Sequence, residues 1–267
     1  PAGRRVTVPA SQPLWTPMPL IRVTGEFFAD KGIESARLDA ELLLAHVLGC
    51  SRLQLYLDAD RPIVPDELDR YRALVKQRGQ RVPLQLLVGH VEILEHEFVV
   101  RPGVFVPRPE TEVLIETCRG LELPENAEIV EVGVGTGCIG LSLLAHAPGA
   151  SLIGFDVNPK AIALTRENAE RLDVAERTEL REGDALEVPL PECDLFVSNP
   201  PYVPAPTIEG LQPEVRDHDP VEALDGGPDG LDFVRTLVPR AVATLRSGGW
   251  IVMEHGDEQG SAMRALR

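Results

Sequence analysis

From residue 127 onward the sequence alternates short apolar runs with helical stretches, and that alternation leaves few folds open. Strands are predicted at 127–132 (AEIVEV), 151–156 (SLIGFD), 178–182, 193–198 (CDLFVS) and 249–254 (GWIVME), with helices at 137–147, 158–172 and 230–246. A chain that goes strand, helix, strand can return to the same sheet edge only by crossing over it. The expected product is an α/β fold: a mostly parallel sheet with helices on both faces.

The part before it has a different period. Helices are predicted at 19–30, 35–48, 51–57 and 65–78. In 35–48 the residues Leu38, Leu42, Ala45 and Leu48 recur at helical spacing, with Ser35 as N-cap and Gly49 as the stop. The stretch 65–78 opens with Pro65, Asp66 and Glu67, suited to a first helical turn, and lines Leu68, Tyr71, Leu74 and Val75 on one face. Between the two patterns, Val91, Ile93, Phe98, Val100, Val104 and Val106 stand among turn residues such as Pro102-Gly103 and predict a hairpin. The expected organisation is a helical bundle over 1–88, a hairpin linker over 89–112 and the α/β domain over 113–267. The prolines at 9, 13, 17 and 19 predict an irregular lead-in.

Composition narrows the function. The net charge is −16, unevenly spread: 12 basic against 10 acidic residues up to Val88, and 14 against 32 beyond it. So acidic a second part repels polyanions, which weighs against a bare nucleic-acid substrate. Cys50, Cys118, Cys138 and Cys193 contain no C-x-x-C pair, and the six histidines are dispersed, so neither a metal site nor a disulfide framework is expected. No apolar run reaches membrane-spanning length and the first twenty residues lack a secretory core. A cytoplasmic monomer is the expectation.

Two segments carry chemistry. Glu131-Val132-Gly133-Val134-Gly135-Thr136-Gly137 follows a predicted strand and opens a predicted helix, so that backbone N–H groups can face a ligand at close range. Asp156 ends the next strand, where a carboxylate can accept both hydroxyls of a ribose. Gly135, Gly137 and Gly140 also satisfy the dinucleotide pattern G-x-G-x-x-G, so this end of the site indicates an adenosine-containing cofactor without saying which. Asp184 closes a third strand, and receiving an adenine amino group or capping a turn are equally good readings of it.

The second segment, Asn199-Pro200-Pro201-Tyr202, directly follows the strand 193–198. Each proline holds the preceding residue extended and removes an N–H, which leaves a stiff turn that presents the Asn199 side-chain oxygen and the Pro200 carbonyl. Two such acceptors can hold both hydrogens of a planar –NH₂ group, with Tyr202 stacked on its flat face. That arrangement suits methyl transfer to a conjugated nitrogen.

With these residues in view, the sequence resembles the HemK/PrmC-type family of peptide-chain-release-factor glutamine methyltransferases. The likeness covers Ala36 to Leu44, Arg101-Pro102-Gly103-Val104, Pro107-Arg108-Pro109-Glu110-Thr111-Glu112, the glycine loop, Asn199 to Tyr202 and Ala223 to Phe233. It implies a Rossmann-like class I methyltransferase domain and S-adenosylmethionine contacts at Gly133, Val134, Gly135, Thr136, Gly137, Asp156, Asp184, Ala185 and Asn199. At Ala185 relatives often carry a bulkier residue beside the adenine. The glutamine pocket would be Asn199, Pro200, Pro201 and Tyr202, with Asn199, Pro200 and Tyr202 catalytic. The implied substrate is the glutamine of the G-G-Q loop in class 1 release factors, docked with help from the helical domain. The resemblance also implies two further strands forming an antiparallel sheet edge, so the edge of a sequence stopping at Arg267 is expected to be incomplete. Competing readings are an adenine-N6 methyltransferase acting on DNA or RNA and a non-catalytic adaptor with a vestigial nucleotide fold. A nicotinamide dehydrogenase is the weakest of the alternatives.

Overall fold

A computed structural model describes residues 15–266; the lead-in prolines at 9 and 13 lie outside the described residues. The chain divides into two compact units, one up to Val88 and one from Gly89.

The first unit is helical: α1 (Pro17–Asp30), α2 (Ala36–Leu48), α3 (Arg52–Leu57), α4 (Pro65–Gly79) and the short α5 (Leu84–Val88). Pro17 starts α1 instead of continuing an irregular segment, as suits a first-turn position whose N–H has no helical partner anyway. Phe28, Leu43, Leu44, Leu55, Ile63 and Tyr71 fill the core. The stripe expected on α2 is rotated. Of the expected stripe Ala45 is buried, Leu42 and Leu48 are half-buried and Leu38 is 39% exposed, while the buried face also carries Asp39, Ala40, Glu41, Leu43, Leu44 and Val47. Two acids can lie inside because each is paired. Asp39 accepts from Arg78 Nε at 2.6 Å and from the Ser35 hydroxyl at 2.7 Å. Ser35 therefore serves the Asp39 carboxylate and not the helix backbone, as a cap would. Glu41 accepts from Arg37, Arg52 and the Tyr56 hydroxyl. In α4, Tyr71 is buried and its hydroxyl donates to the Ala40 carbonyl, while Glu67 accepts the Val64 N–H and closes the first turn.

The second unit begins with a hairpin, β1 (His90–Ile93) paired antiparallel with β2 (His96–Val99). It turns at Leu94-Glu95, with Leu94 in the left-handed region at φ 52°; Pro102-Gly103 forms a separate turn after it. α6 (Thr111–Arg119), which sequence reasoning did not single out, leads into the α/β part. There follow β3 (Glu128–Val132), α7 (Cys138–His146), β4 (Ser151–Asp156), α8 (Pro159–Arg171), β5 (Thr178–Glu182), β6 (Cys193–Ser198), the one-turn α9 (Pro213–Arg216), α10 (Asp232–Thr244), β7 (Leu245–Met253) and α11 (Gly260–Arg264). The five strands form one parallel sheet in the order β5-β4-β3-β6-β7. β7 starts four residues before the predicted 249, because the register against β6 breaks between Cys193 and Leu195 and accommodates the Ser247-Gly248-Gly249 stretch.

Alternation along the central strands sorts the core into two layers. Ile129, Leu195 and Val197 pack with α6 and α7, whereas Val130, Val132 and Phe196 pack with Leu237 and Ala241 of α10. Glu131 falls on the first of these faces, wholly buried. Its Oε2 accepts the Gly140 N–H at 3.0 Å, and a Cβ on residue 140 would lie 2.4 Å from that oxygen. Gly140 is thus the residue that lets α7 close onto the carboxyl.

Burial pushes the Glu131 carboxyl from its ordinary 4.5 up to about 8. Between those values the unfolded chain has released a proton that the folded chain keeps, so folding takes one up and stability from this group falls as pH rises. Urea unfolding of Glu131→Gln is expected to show a flatter decline than the unaltered protein between about pH 5 and 8; parallel curves would refute this. In the helical unit, Asp39→Ala removes the carboxylate that pairs with the buried Arg78 and is expected to cost about 3–5 kcal/mol. Leu38→Ala should cost only about 0.5 kcal/mol. Trp15 fluorescence during denaturation reports both, and equal losses would contradict the rotated stripe.

Candidate active site

In an open parallel sheet, ligands bind beyond the carboxyl ends of the strands, where the order reverses direction. Here that point lies between β3 and β6, whose ends pair Val132 with Ser198. The Ser198 hydroxyl donates to the Val132 carbonyl at 2.7 Å and locks the two strand ends together. The loops that leave them are the glycine loop and Asn199 to Tyr202, and they are close: a Cβ on Gly133 would lie 3.8 Å from the Asn199 carbonyl oxygen. A cavity of about 950 Å³ opens over both.

The glycine loop turns through three left-handed residues, Gly133, Gly135 and Gly137, at φ 77°, 57° and 80°. Their reasons differ. A Cβ on Gly137 would strike Thr165 and Leu141, so that glycine serves packing and stands back from the cavity. A Cβ on Gly135 would meet no atom within 4 Å and would project into the space a ligand would use. Gly133, Val134, Gly135 and Thr136 line the cavity.

Asp156 also lines it and is tied to the loop: Oδ2 accepts the Gly135 N–H at 3.0 Å and Oδ1 the Asn158 N–H at 2.9 Å. Burial pushes its pKa up, while these N–H groups act against that. Helix α8 secures the loop from the other side. The Thr165 hydroxyl donates to the Gly135 carbonyl, and Asn168 Nδ2 donates to the Thr136 and Val99 carbonyls while its Oδ1 accepts the Val99 N–H. Asp184 accepts the Leu186 N–H at 2.8 Å, so it does cap a turn, and it lines the cavity as well. Ala185 and the exposed Val157 give the same end of the cavity apolar surface.

At the other end stand Asn199, Pro201 and Tyr202; Pro200 is buried and is not among the lining residues. Burial raises the Tyr202 hydroxyl pKa, and that hydroxyl donates to Glu254 Oε1 at 2.9 Å. The Leu224–Asp232 stretch, singled out only by resemblance, is the support of this loop. Val203 donates to the Leu224 carbonyl and accepts from Gly226, and Ala205 donates to the Gly227 carbonyl. A Cβ on Gly230 would lie 2.2 Å from the Tyr202 carbonyl oxygen, so only glycine allows the approach.

Sequence reasoning did not assign roles to Arg108, Glu110, Asp219 or Glu254. Asp219, its side chain fully buried, accepts the Val106 N–H and forms an ion pair with Arg108, which fastens the Pro107 to Glu112 segment beside the cavity. Glu110 lines the cavity, whose wall carries more carboxylates, with Asp156, Asp184, Glu222 and Asp225, than cations, Arg108 and Lys160. The available signal was an acid at the end of a strand, in Met253-Glu254, but a pairing partner 52 residues earlier is invisible to local pattern.

The open face at Gly135 and the acid-rich wall fit a ligand that carries an adenosine and a positive charge. Comparison with known proteins agrees. Residues 20–89 match the PrmC N-terminal domain family and residues 95–209 the methyltransferase small domain family. The chain is 44% identical over 255 residues to the release factor glutamine methyltransferase of Geobacter sulfurreducens, an overlap of 95% of this chain and 88% of the relative. It is 43% identical over 236 residues to that of Mycolicibacterium smegmatis, covering 86% and 80%, and 39% identical over 256 residues to that of Chlorobaculum tepidum, covering 91% and 87%. By identity of that extent over nearly its whole length, the chain belongs to the release factor glutamine methyltransferase family.

Proposed function

We propose that this chain methylates the side-chain amide nitrogen of the glutamine in the G-G-Q loop of class 1 release factors, with S-adenosylmethionine as donor. The observation that carries the reading is the meeting of two loops at one point of the sheet. The glycine loop at the end of β3 offers a cofactor seat, and Asn199 to Tyr202 at the end of β6 offers an amide seat, both over the same cavity.

S-adenosylmethionine supplies a methyl group activated by its positively charged sulfur. Gly133, Val134, Gly135 and Thr136 bring backbone close to it, Asp156 takes the ribose hydroxyls, and Val157 and Ala185 flank the adenine beside Asp184. The carboxylates of the wall favour the cationic end. An amide nitrogen is a weak nucleophile because its lone pair is shared with the carbonyl. The Asn199 side-chain oxygen and the Pro200 carbonyl hold its two hydrogens and draw positive charge towards them, which leaves the nitrogen richer in electrons as the new N–C bond forms. The bound cofactor would supply the methyl group, its S–C bonding pair staying with sulfur, and the alkylated nitrogen, acidic by then, would release one proton to solvent. Pro201 keeps the loop stiff and Tyr202 offers the flat wall. The helical unit up to Val88 takes part in docking the protein substrate.

An adenine amino group has the same planar –NH₂ shape, and the surroundings separate the two substrates. A nucleic-acid enzyme must neutralise phosphates and flip a base, while the unit from Gly89 onward carries 32 acidic against 14 basic residues. Incubation with labelled cofactor and a release factor should therefore label the G-G-Q peptide, with no transfer to duplex or single-stranded DNA at moderate salt. Label in DNA, or undiminished label in a Gln→Ala release factor, would overturn the proposal. Asn199→Ala should lower turnover about a hundredfold with little change in melting temperature. Calorimetry should show Asp156→Ala and Gly135→Val weakening cofactor binding, the former by about 1.5–3 kcal/mol. Unchanged affinity in both would remove the cofactor seat from this loop.

A further inference from the structure

The segment after β7 takes hold of Tyr202 at both of its polar ends. Glu254 Oε1 accepts the Tyr202 hydroxyl at 2.9 Å, and Gln259 Nε2 donates to the Tyr202 carbonyl at 3.0 Å. Neither holder is loose. The Glu254 N–H donates to the Ser198 carbonyl at 3.1 Å, which extends the β6–β7 ladder one step to the residue just before Asn199. The Gln259 amide is used on both sides: Nε2 also reaches the Asp229 carbonyl at 3.2 Å, and Oε1 accepts the Gly256 N–H at 2.9 Å.

A separate feature keeps room for this arrangement. Gly230, at φ 77°, would with a Cβ press to 2.2 Å from the Tyr202 carbonyl oxygen and 2.5 Å from Gln259 Nε2. The chain thus spends a glycine at the spot where the Gln259–Tyr202 bond crosses. Without the two bonds, the Tyr202 hydroxyl would lose its acceptor and the backbone carbonyl its side-chain donor.

From this geometry we infer that Glu254 and Gln259 are positioning residues for methyl transfer, a two-point clamp that fixes Tyr202 as the wall against which the target amide lies. The inference rests on the reading of Asn199 to Tyr202 as the substrate loop. Its prediction is a loss of orientation, expressed in turnover and not in cofactor binding. Glu254→Ala and Gln259→Ala should each lower kcat about tenfold, with cofactor affinity and melting temperature retained. Glu254→Gln, which keeps an acceptor oxygen for the hydroxyl, should restore most of the turnover. In a Tyr202→Phe background Glu254→Ala should cost less than it does alone, because the Tyr202 bond is already absent and the interaction with Asn199 is what is left to lose. A normal kcat in Glu254→Ala, a Glu254→Gln variant as impaired as the alanine, or additive losses in the double variant would overturn the clamp.

A second measurement needs no methyl acceptor. The chain has three tyrosines, Tyr56, Tyr71 and Tyr202, so ring-labelled tyrosine gives a spectrum in which Tyr202→Phe identifies the Tyr202 signal. That signal should shift or broaden in Glu254→Ala and in Gln259→Ala and stay near its original position in Glu254→Gln. An unmoved signal in both alanine variants overturns the clamp even when release factors are methylated. A moved signal upholds it independently of the substrate assignment.

Discussion

Everything in the second unit depends on the parallel pairing of β3 with β6. Two strands far apart in sequence end at the same level, Val132 opposite Ser198, and the Ser198 hydroxyl binds the Val132 carbonyl across the seam. Because the sheet continues in opposite directions on either side of that pair, the connections diverge there and leave a crevice above it. A one-residue slip in this register would turn each side chain of β6 to the other face and separate the two loops. The alternation of Leu195, Phe196 and Val197 between the two core layers opposes such a slip.

Loops this close to a ligand cavity cannot be held by apolar packing alone, and the chain holds them with buried polar groups that each have a partner. Asp219 with Arg108 fastens one wall, Asp156 fastens the glycine loop, and the backbone bonds between Val203–Ala205 and Leu224–Gly227 fasten the substrate loop. Unpaired, groups of this kind would each cost a few kcal/mol; paired, they contribute rigidity and little net stability. The same logic runs through the helical unit, where Asp39 and Glu41 lie inside α2 because Arg78, Arg52 and Tyr56 meet them.

Much of this was legible in the sequence because it is local. Strand–helix alternation, glycines at left-handed turns and prolines after a strand are decided by residues within a few positions of one another. The failures have a common physical origin in tertiary pairing. The α2 stripe was read from apolar spacing, yet two paired acids took inward positions and Leu38 turned out. Asp184 could be read two ways, and its bond to the Leu186 N–H supplies the turn cap without removing it from the cavity wall. Arg108 pairs with Asp219 across 111 residues, and Glu254 and Gln259 reach Tyr202 across 52 and 57, where no spacing rule applies.

Asn168 adds a direct polar tie between two places that already share apolar packing. One amide group binds Val99, on the last residue of the hairpin, through both its N–H and its carbonyl, and binds the Thr136 carbonyl in the glycine loop. Freeing either end leaves a buried amide with an unmade bond, so fluctuations of the hairpin and of the glycine loop are linked in free energy. Because the Asn168 amide bridges them, a ligand that quiets the loop is expected to slow the opening of the hairpin, which would register as protection of the Val99 amide from solvent exchange.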